Sequence, residues 1–327
     1  MKILVTGGTG FIGSHLVERL RRKGHEVRCV AKDRLNVQAL ESIGCSVVLA
    51  DLNNGVSWEP LLNDVEYVYH LAGVTRCRSP HEYYEGNFQA TKHFVDVCST
   101  LCSSLKRFVY VSSLTAVGPS LNGSPVDEST PYHPVSHYGK SKMLAEGEVL
   151  RVADRLPVTI VRPSAVYGPR ERDMYDYMRL IKKRIQPLIG LKSKFMSLIH
   201  SDDLVDGIIR AGEKEAAVGN TYLLGSERGY SVRDIGRAIA SAVHTHPLCI
   251  GLPHCLVYTI GGIATVVGKI TDQQVFFNIE KVRESVQPAW TCSVEKAKAE
   301  LGFRQKVGLI EGMQSTYAWY CANGWME

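Results

Sequence analysis

The sequence predicts an α/β fold, a doubly wound parallel sheet with a smaller C-terminal substrate lobe. Three observations predict it. Short apolar runs alternate with helical patterns through the first half, as strands buried on both faces do. A glycine-rich turn closes the first run and opens the first helical pattern. The 327 residues are 45% apolar and 22% charged, which suits one large domain or two smaller ones around a sizeable core. The same composition excludes disorder, a coiled coil and a collagen-like fibre.

The predicted strands are 2–6, 25–31, 46–50, 67–71, 108–112 and 158–162, and the helical patterns between them are 12–23, 35–43, 88–101 and 140–155. The rhythm changes after Pro163. Beyond it come a loop at 168–173, a helix near 175–184, a segment at 199–212, and helices at 293–301 and 309–323. A further helix starts at Ser231, where Asp234 three residues on completes a capping arrangement. The expected division is a nucleotide-binding domain, 1–163, and a substrate lobe, 164–327, of which about 199–243 returns to the first domain's sheet.

The 38 basic and 33 acidic residues give a net charge of +5. The runs Arg21-Arg22-Lys23 and Lys182-Lys183-Arg184 read as solvated helix faces, so nucleic acid is not expected as a partner. Nine cysteines form no CxxC pair and no zinc spacing, so no metal site is expected. With no signal peptide visible, the expected setting is reducing and cytoplasmic. Residues 247–268 contain no Asp, Glu, Lys or Arg but hold two Pro and four Gly, and the run splits near Pro253. They read first as a lid over an apolar ligand, with membrane contact kept as the less favoured alternative.

The turn Thr6-Gly7-Gly8-Thr9-Gly10-Phe11-Ile12-Gly13 suits a dinucleotide phosphate loop. Gly7 permits a tight turn, Gly10 admits a pyrophosphate, and Gly13 lets the helix pack on the strand. Thr9, Phe11 and Ile12 surround the helix N-terminus, whose free N–H groups and positive dipole end favour phosphate. At the tip of the second strand Ala31 stands where an acidic residue would accept a ribose hydroxyl. Lys32 and Arg34 can pair with a 2′-phosphate instead, which favours NADP(H), while Asp33 keeps NAD(H) open. Asp51 and Leu52, after the third strand, are placed for the adenine.

Ser112-Ser113 ends the fifth strand, and Tyr138 and Lys142 lie four apart at the start of the next helix, on one face. An ammonium beside a phenol favours phenolate, so Tyr138 can exchange a proton with a carbonyl or alcohol oxygen near neutral pH. Ser113 can orient the same oxygen, and Lys142 can reach the nicotinamide ribose.

With these pieces go HLAG at 70–73, Asn87, FVYVSSLTAVG at 108–118, YGKSK, VRPSAVYGPR at 161–170, IHSDDLVDGI at 199–208 and KAKAELGF near the C-terminus. The ordered set, spanning nearly the whole chain, resembles the extended short-chain dehydrogenases/reductases, in the group called NAD-dependent epimerase/dehydratase. The resemblance implies a Rossmann domain and a catalytic trio of Ser113, Tyr138 and Lys142. It implies cofactor contacts from Leu71, Ala72, Gly73, Asn87, Val111, Pro163 and Ser164, and a homodimer through two long helices.

Within that group the residues discriminate. Sugar 4,6-dehydratases resemble a pattern with Asp-Glu after the catalytic hydroxyl, whereas Leu114-Thr115-Ala116 follows Ser113 here. Nucleotide-sugar epimerases carry Asn at the place of Ser164 and an Arg at the place of Met196; Lys194 and Arg283 are imperfect substitutes for phosphate-binding arginines. Val161-Arg162-Pro163-Ser164 and the apolar 247–268 are closer to dihydroflavonol reductases and the 3β-hydroxysteroid dehydrogenase group. The expected activity is therefore interconversion of a ketone and a secondary alcohol on a small apolar substrate, with a nucleotide-sugar epimerase as the alternative. Thr75, Arg76, Thr115, Tyr167, Met174 and Phe195 follow the right strand ends and loops to line the substrate pocket.

Overall fold

A computed structural model describes residues 1–34, 36–53, 57–102, 104–190, 192–271 and 278–326. Its strands are β1 (Lys2–Thr6), β2 (Glu26–Ala31), β3 (Ser46–Leu49), β4 (Tyr67–His70), β5 (Arg107–Val111), β6 (Val158–Pro163), β7 (Ala165–Tyr167), β8 (Ile185–Ile189), β9 (Phe195–Met196), β10 (Leu198–His200), β11 (Thr221–Leu224), β12 (Tyr230–Ser231), β13 (Leu248–Leu252) and β14 (Ala289–Trp290). Seven of them form one parallel sheet in the order β11-β6-β5-β4-β1-β2-β3. The order reverses at β1, between β4 and β2, and that crevice at the C-terminal strand ends is where this topology binds ligands.

Alternation along the strands feeds two separate cores. Ile3, Val5, Val109 and Val111 face the helices Phe11–Arg22 and Ser201–Glu213, through Leu16, Leu20, Leu204 and Ile208. Leu4, Phe108 and Tyr110 face the helices Ala90–Leu101 and His137–Arg151, through Phe94, Val95, Ala145 and Val149. A period of two is what a strand covered on both faces requires, and each such aliphatic side chain contributes about 1.5–3 kcal/mol on burial. A third core, with Met178, Ile181, Ile235, Ile239, Met313 and Tyr320, holds the lobe together.

Most elements lie where the sequence predicts them, with shifted ends. The pattern at 88–101 is entered through a π-helical turn, Tyr84–Gln89, and the pattern at 140–155 is a helix beginning three residues earlier, His137–Arg151. The predicted helix 35–43 is Val37–Ser42, its first expected residue, Leu35, falling outside the described residues. The segment 199–212 resolves into β10 followed by the helix Ser201–Glu213. The charge-free stretch divides at Pro253 into β13, paired in parallel with β8, and the helix His254–Thr271. Among the described residues no helix is long and apolar enough to cross a membrane.

Candidate active site

The phosphate loop is built as its glycines predict. Gly7 has φ +72°, and a Cβ there would lie 2.7 Å from the Ala72 nitrogen, so the loop and the end of β4 touch backbone to backbone. A Cβ on Gly13 would collide with the Gly7 carbonyl. Gly10 differs: a Cβ there would meet only the Gly7 oxygen, at 3.3 Å, which leaves its outer side open. The Ser14 N–H donates to the Gly10 carbonyl at 2.9 Å, so the N–H groups of Phe11, Ile12 and Gly13 have no acceptor in their own helix. No acidic residue stands in that first turn. An open cradle with spare donors at a helix N-terminus fits a pyrophosphate.

The second strand tip sits beside it. The Asn36 amide donates to the Thr9 carbonyl at 3.1 Å. Lys32 and Asp51 form an ion pair at 3.0 Å, and Asp51 also accepts from the Asn53 N–H. That backbone bond and the lysine hold the Asp51 carboxyl below its usual range. Arg34 is exposed on the same loop, and Leu52 is buried against the sheet.

After β4 the backbone is pinned from two sides. His70 hydrogen-bonds Thr6 Oγ1 at 2.6 Å and Thr91 Oγ1 at 2.9 Å, and burial drives it down to about 3, so the ring is neutral. The Asn87 side chain accepts from the Val74 N–H at 2.6 Å and donates to the Val74 carbonyl and to Ser141 Oγ. Its amide thus ties Val74, just beyond β4, to the helix His137–Arg151, a positioning role. Ser164, just beyond β6, has a buried hydroxyl with no protein partner among the described residues. A waiting polar group at that place fits a nicotinamide amide.

Ser113, Tyr138 and Lys142, the trio expected from the sequence, converge at the ends of β5 and the helix His137–Arg151. Ser113 caps a one-turn helix, accepting from the Thr115 N–H at 3.2 Å and from Thr115 Oγ1 at 2.8 Å. Ser136 caps the long helix, accepting from the Gly139 N–H at 3.1 Å, which sets Tyr138 and Lys142 on its opening turns. Lys142 is buried; its Nζ donates to the Val111 carbonyl at 2.8 Å and lies 4.4 Å from the Tyr110 ring centroid. Burial lowers Lys142 to about 7, against the pull of Glu146. Burial likewise raises Tyr138 to about 12, with Glu284 pushing the same way and a hydrogen bond from Ser113 opposing it. The sequence suggests that Lys142 would acidify Tyr138. In the structure desolvation outweighs that effect, the ammonium is turned to Val111, and Ser113 is the group that favours phenolate.

Three residues that the motifs do not single out complete the site. Glu146, four after Lys142, is fully buried; it pairs with Arg162 at 2.7 Å and accepts from Ser112 and from the Tyr132 hydroxyl at 2.6 Å. Its four-residue spacing from Lys142 was the available signal. Glu280 and Glu284 come from the helix Ile279–Ser285. Glu280 accepts from the His137 N–H at 2.7 Å and Glu284 from the Ser136 hydroxyl at 2.7 Å, both at the positive end of the helix His137–Arg151. Burial raises the Glu284 carboxyl above its usual range, with Lys281 and Ser136 opposing.

The expected substrate residues separate. Thr115 touches Ser113, and Arg76 pairs with Asp173, which also meets Lys281 at 3.5 Å. Thr75 is exposed, and its carbonyl accepts from the Tyr83 hydroxyl; the Tyr83 ring lies 5.8 Å from that of Tyr138. Phe195 is exposed on β9. Tyr167 is buried against Gly312 and His200, and Met174 packs with it, so these two belong to the lobe's core rather than to an open pocket.

The model of the NAD dependent epimerase/dehydratase family matches residues 3–225. The chain belongs to that family. It is an NAD(P)-dependent enzyme of the extended short-chain dehydrogenase/reductase type, an oxidoreductase with a Rossmann sheet. Among its relatives are the ceramide reductase of Caulobacter vibrioides, 28% identical over 99% of this chain and 96% of that one. The decarboxylating sterol-4-alpha-carboxylate 3-dehydrogenase of Dictyostelium discoideum is 24% identical, over 95% of this chain and 98% of its own. The solved structure of MoeE5 in complex with UDP-glucose and NAD shares the fold, with a TM-score of 0.79 and 24% identity over 99% of both chains.

Proposed function

We propose that this enzyme interconverts a ketone and a secondary alcohol on an apolar substrate, with NADP(H) preferred over NAD(H). One observation carries the choice of substrate: the lobe sets a carboxylate, Glu284, near Tyr138, and the two cations nearest the places of the epimerases' phosphate-binding arginines, Arg283 and Lys194, are engaged elsewhere. Arg283 pairs with Glu280 at 2.7 Å, and Lys194 donates to the carbonyls of Ser285 and Gln287. Met196 stands in β9 at the place of the phosphate-binding arginine. A diphosphate there would meet negative charge without a guanidinium fork. The ceramide and sterol relatives named above support the apolar reading.

The bound cofactor supplies or accepts the hydride. Phosphate contacts fall to Gly7, Thr9, Gly10, Phe11 and Ile12, with Lys32 and Arg34 for a 2′-phosphate and Asp51 and Leu52 for the adenine; Leu71–Gly73, Val111, Pro163 and Ser164 lie toward the nicotinamide, and Asn87 acts there through the backbone it holds at Val74. Tyr138 gives its proton to the carbonyl oxygen in reduction and takes it back in oxidation. Ser113 donates to the oxygen on which charge develops. Lys142, buried and held by Val111, keeps a donor at the ribose and a positive charge near the phenol when protonated. Thr75, Arg76, Thr115 and Phe195 border the space in front of them. Residues 1–163 act as the cofactor domain and 164–327 as the substrate lobe, and the enzyme works as a homodimer in the cytoplasm.

A thermal-shift panel tests this. NADPH should stabilise more than NADH, and apolar ketones or alcohols should add to it; a ligand at 100 times its Kd adds about 2.7 kcal/mol. A further rise with UDP-, dTDP- or GDP-sugars alone would instead identify a nucleotide-sugar epimerase.

A further inference from the structure

We propose that the helix His254–Thr271 and the β8–β13 ribbon seat this enzyme on an anionic membrane surface, lying in its plane. The helix has two unlike sides. Val257, Gly261 and Gly268 are buried; Gly261 packs on Val282, and Thr265 Oγ1 accepts from the Ile279 N–H at 2.9 Å. On the other side Leu256, Ile260, Ile263, Val267 and Ile270 recur at intervals of four and three, a single stripe left exposed among the described residues. Ile263 is 61% exposed and Ile270 78%.

The ribbon that leads into this helix repeats the pattern with a period of two. Leu248, Ile250 and Leu252 pair with Ile185, Pro187 and Ile189, so all six share one face. Leu248 is 70% exposed. The opposite face carries Gln186, buried against Gly236 and bonded to the Val232 carbonyl at 3.0 Å. An exposed apolar stripe on the helix, together with an apolar face on the ribbon that leads into it, exceeds the scattered exposure normal for a monomer.

Charge decides what covers it. Residues 177–201 and 235–271, which supply both elements, hold eight of the 38 basic residues and none of the 33 acidic ones. Lys183, Arg184 and Lys192 are exposed. The Arg184 carbonyl accepts from the Leu248 N–H at 2.9 Å, which fixes that cation at one end of the ribbon. Gly190 abuts the His254 ring, and Lys192 follows two residues later at the other end. An apolar face with a cationic rim matches anionic headgroups over an acyl layer. A second copy would set one cationic rim against another, and Leu101, Leu144 and Leu150 on the helices Ala90–Leu101 and His137–Arg151 offer it a different exposed face. The seated face is one helix away from Tyr138, because Ile279–Ser285 packs on its inner side and carries Glu284.

Flotation of the purified full chain tests this, using vesicles of phosphatidylcholine alone and of phosphatidylcholine with phosphatidylglycerol. The chain should float with the anionic vesicles, less at high salt, and poorly with the neutral ones. Ile263→Asp with Val267→Asp, and separately Lys183→Glu with Arg184→Glu, should each weaken binding about tenfold or more. The second pair lies on the exposed surface and keeps the test sound if the first pair impairs folding. No flotation, equal flotation with both vesicles, or binding unchanged in the charge-reversed variant would overturn the proposal. So would a dimer that Ile263→Asp with Val267→Asp converts to monomer in sedimentation, which would make the stripe a contact between copies. None of these readouts depends on turnover.

Discussion

Glu284 of the helix Ile279–Ser285 accepts a hydrogen bond from the Ser136 hydroxyl at 2.7 Å, and so holds a carboxylate near Tyr138 at the start of the helix His137–Arg151. The bond does two things. It caps the helix from a segment distant in sequence, and it opposes ionisation of the phenol.

Glu284→Gln keeps a hydrogen-bonding side chain at Ser136 and removes the charge. Because the carboxylate raises Tyr138, its loss should lower the phenol's pKa. The rising limb of kcat/KM against pH in the alcohol-oxidising direction, which needs phenolate, should move to lower pH. An unchanged pH profile would show that Glu284 does not act on Tyr138.

Tyr138→Phe removes the proton donor while leaving the ring packed near Tyr83. Turnover should fall roughly 10²–10⁴-fold, the usual share of a positioned acid or base. NADPH affinity, measured by fluorescence titration, should change little. Retained turnover would remove Tyr138 from the chemistry.

The buried pair of Glu146 and Arg162 predicts a stability effect. Arg162→Met leaves Glu146 fully buried with Ser112 and Tyr132 as its remaining partners among the described residues. Breaking such a pair from one side costs about 3–5 kcal/mol, readable as a loss in urea unfolding at neutral pH. Replacing both partners by apolar residues of similar volume should recover much of it.

His70 gives a pH dependence with a defined sign. Its ordinary value is 6.5, and burial between Thr6 and Thr91 lowers it to about 3 in the folded chain. Between those values the unfolded chain binds a proton that the native chain does not. This group's contribution to stability is complete above pH 6.5 and is lost as pH falls toward 3. One proton corresponds to about 1.36 kcal/mol per pH unit across that window. Urea unfolding of the wild type and of His70→Gln at several pH values should show a shallower acid slope in the variant.

Much of this was legible in the sequence because backbone requirements write themselves into residue type. Gly7 and Gly13 are needed where a Cβ would strike the neighbouring chain, and Ile3, Leu4 and Val5 announce a strand covered on both faces. The trio Ser113, Tyr138 and Lys142 could be placed by spacing along β5 and one helix. What could not be read were contacts between distant segments. Glu284 meets Ser136 across 148 positions, and Arg76 meets Asp173 across 97. The balance that raises Tyr138 was also hidden, since spacing shows that Lys142 is near but not that both groups are desolvated. The stretch 247–268 showed its lack of charge in the sequence, but only the fold shows which of its residues face outward.

The most direct test of the central claim is net oxidation of NADPH by the purified enzyme, followed by nicotinamide absorbance. One set of reactions contains long-chain or polycyclic ketones, and the other UDP-, dTDP- and GDP-sugars. One equivalent of NADPH should be consumed per equivalent of alcohol formed from an apolar ketone, with no change in the sugar nucleotides. Epimerisation of a sugar nucleotide with no net change in the cofactor would contradict it.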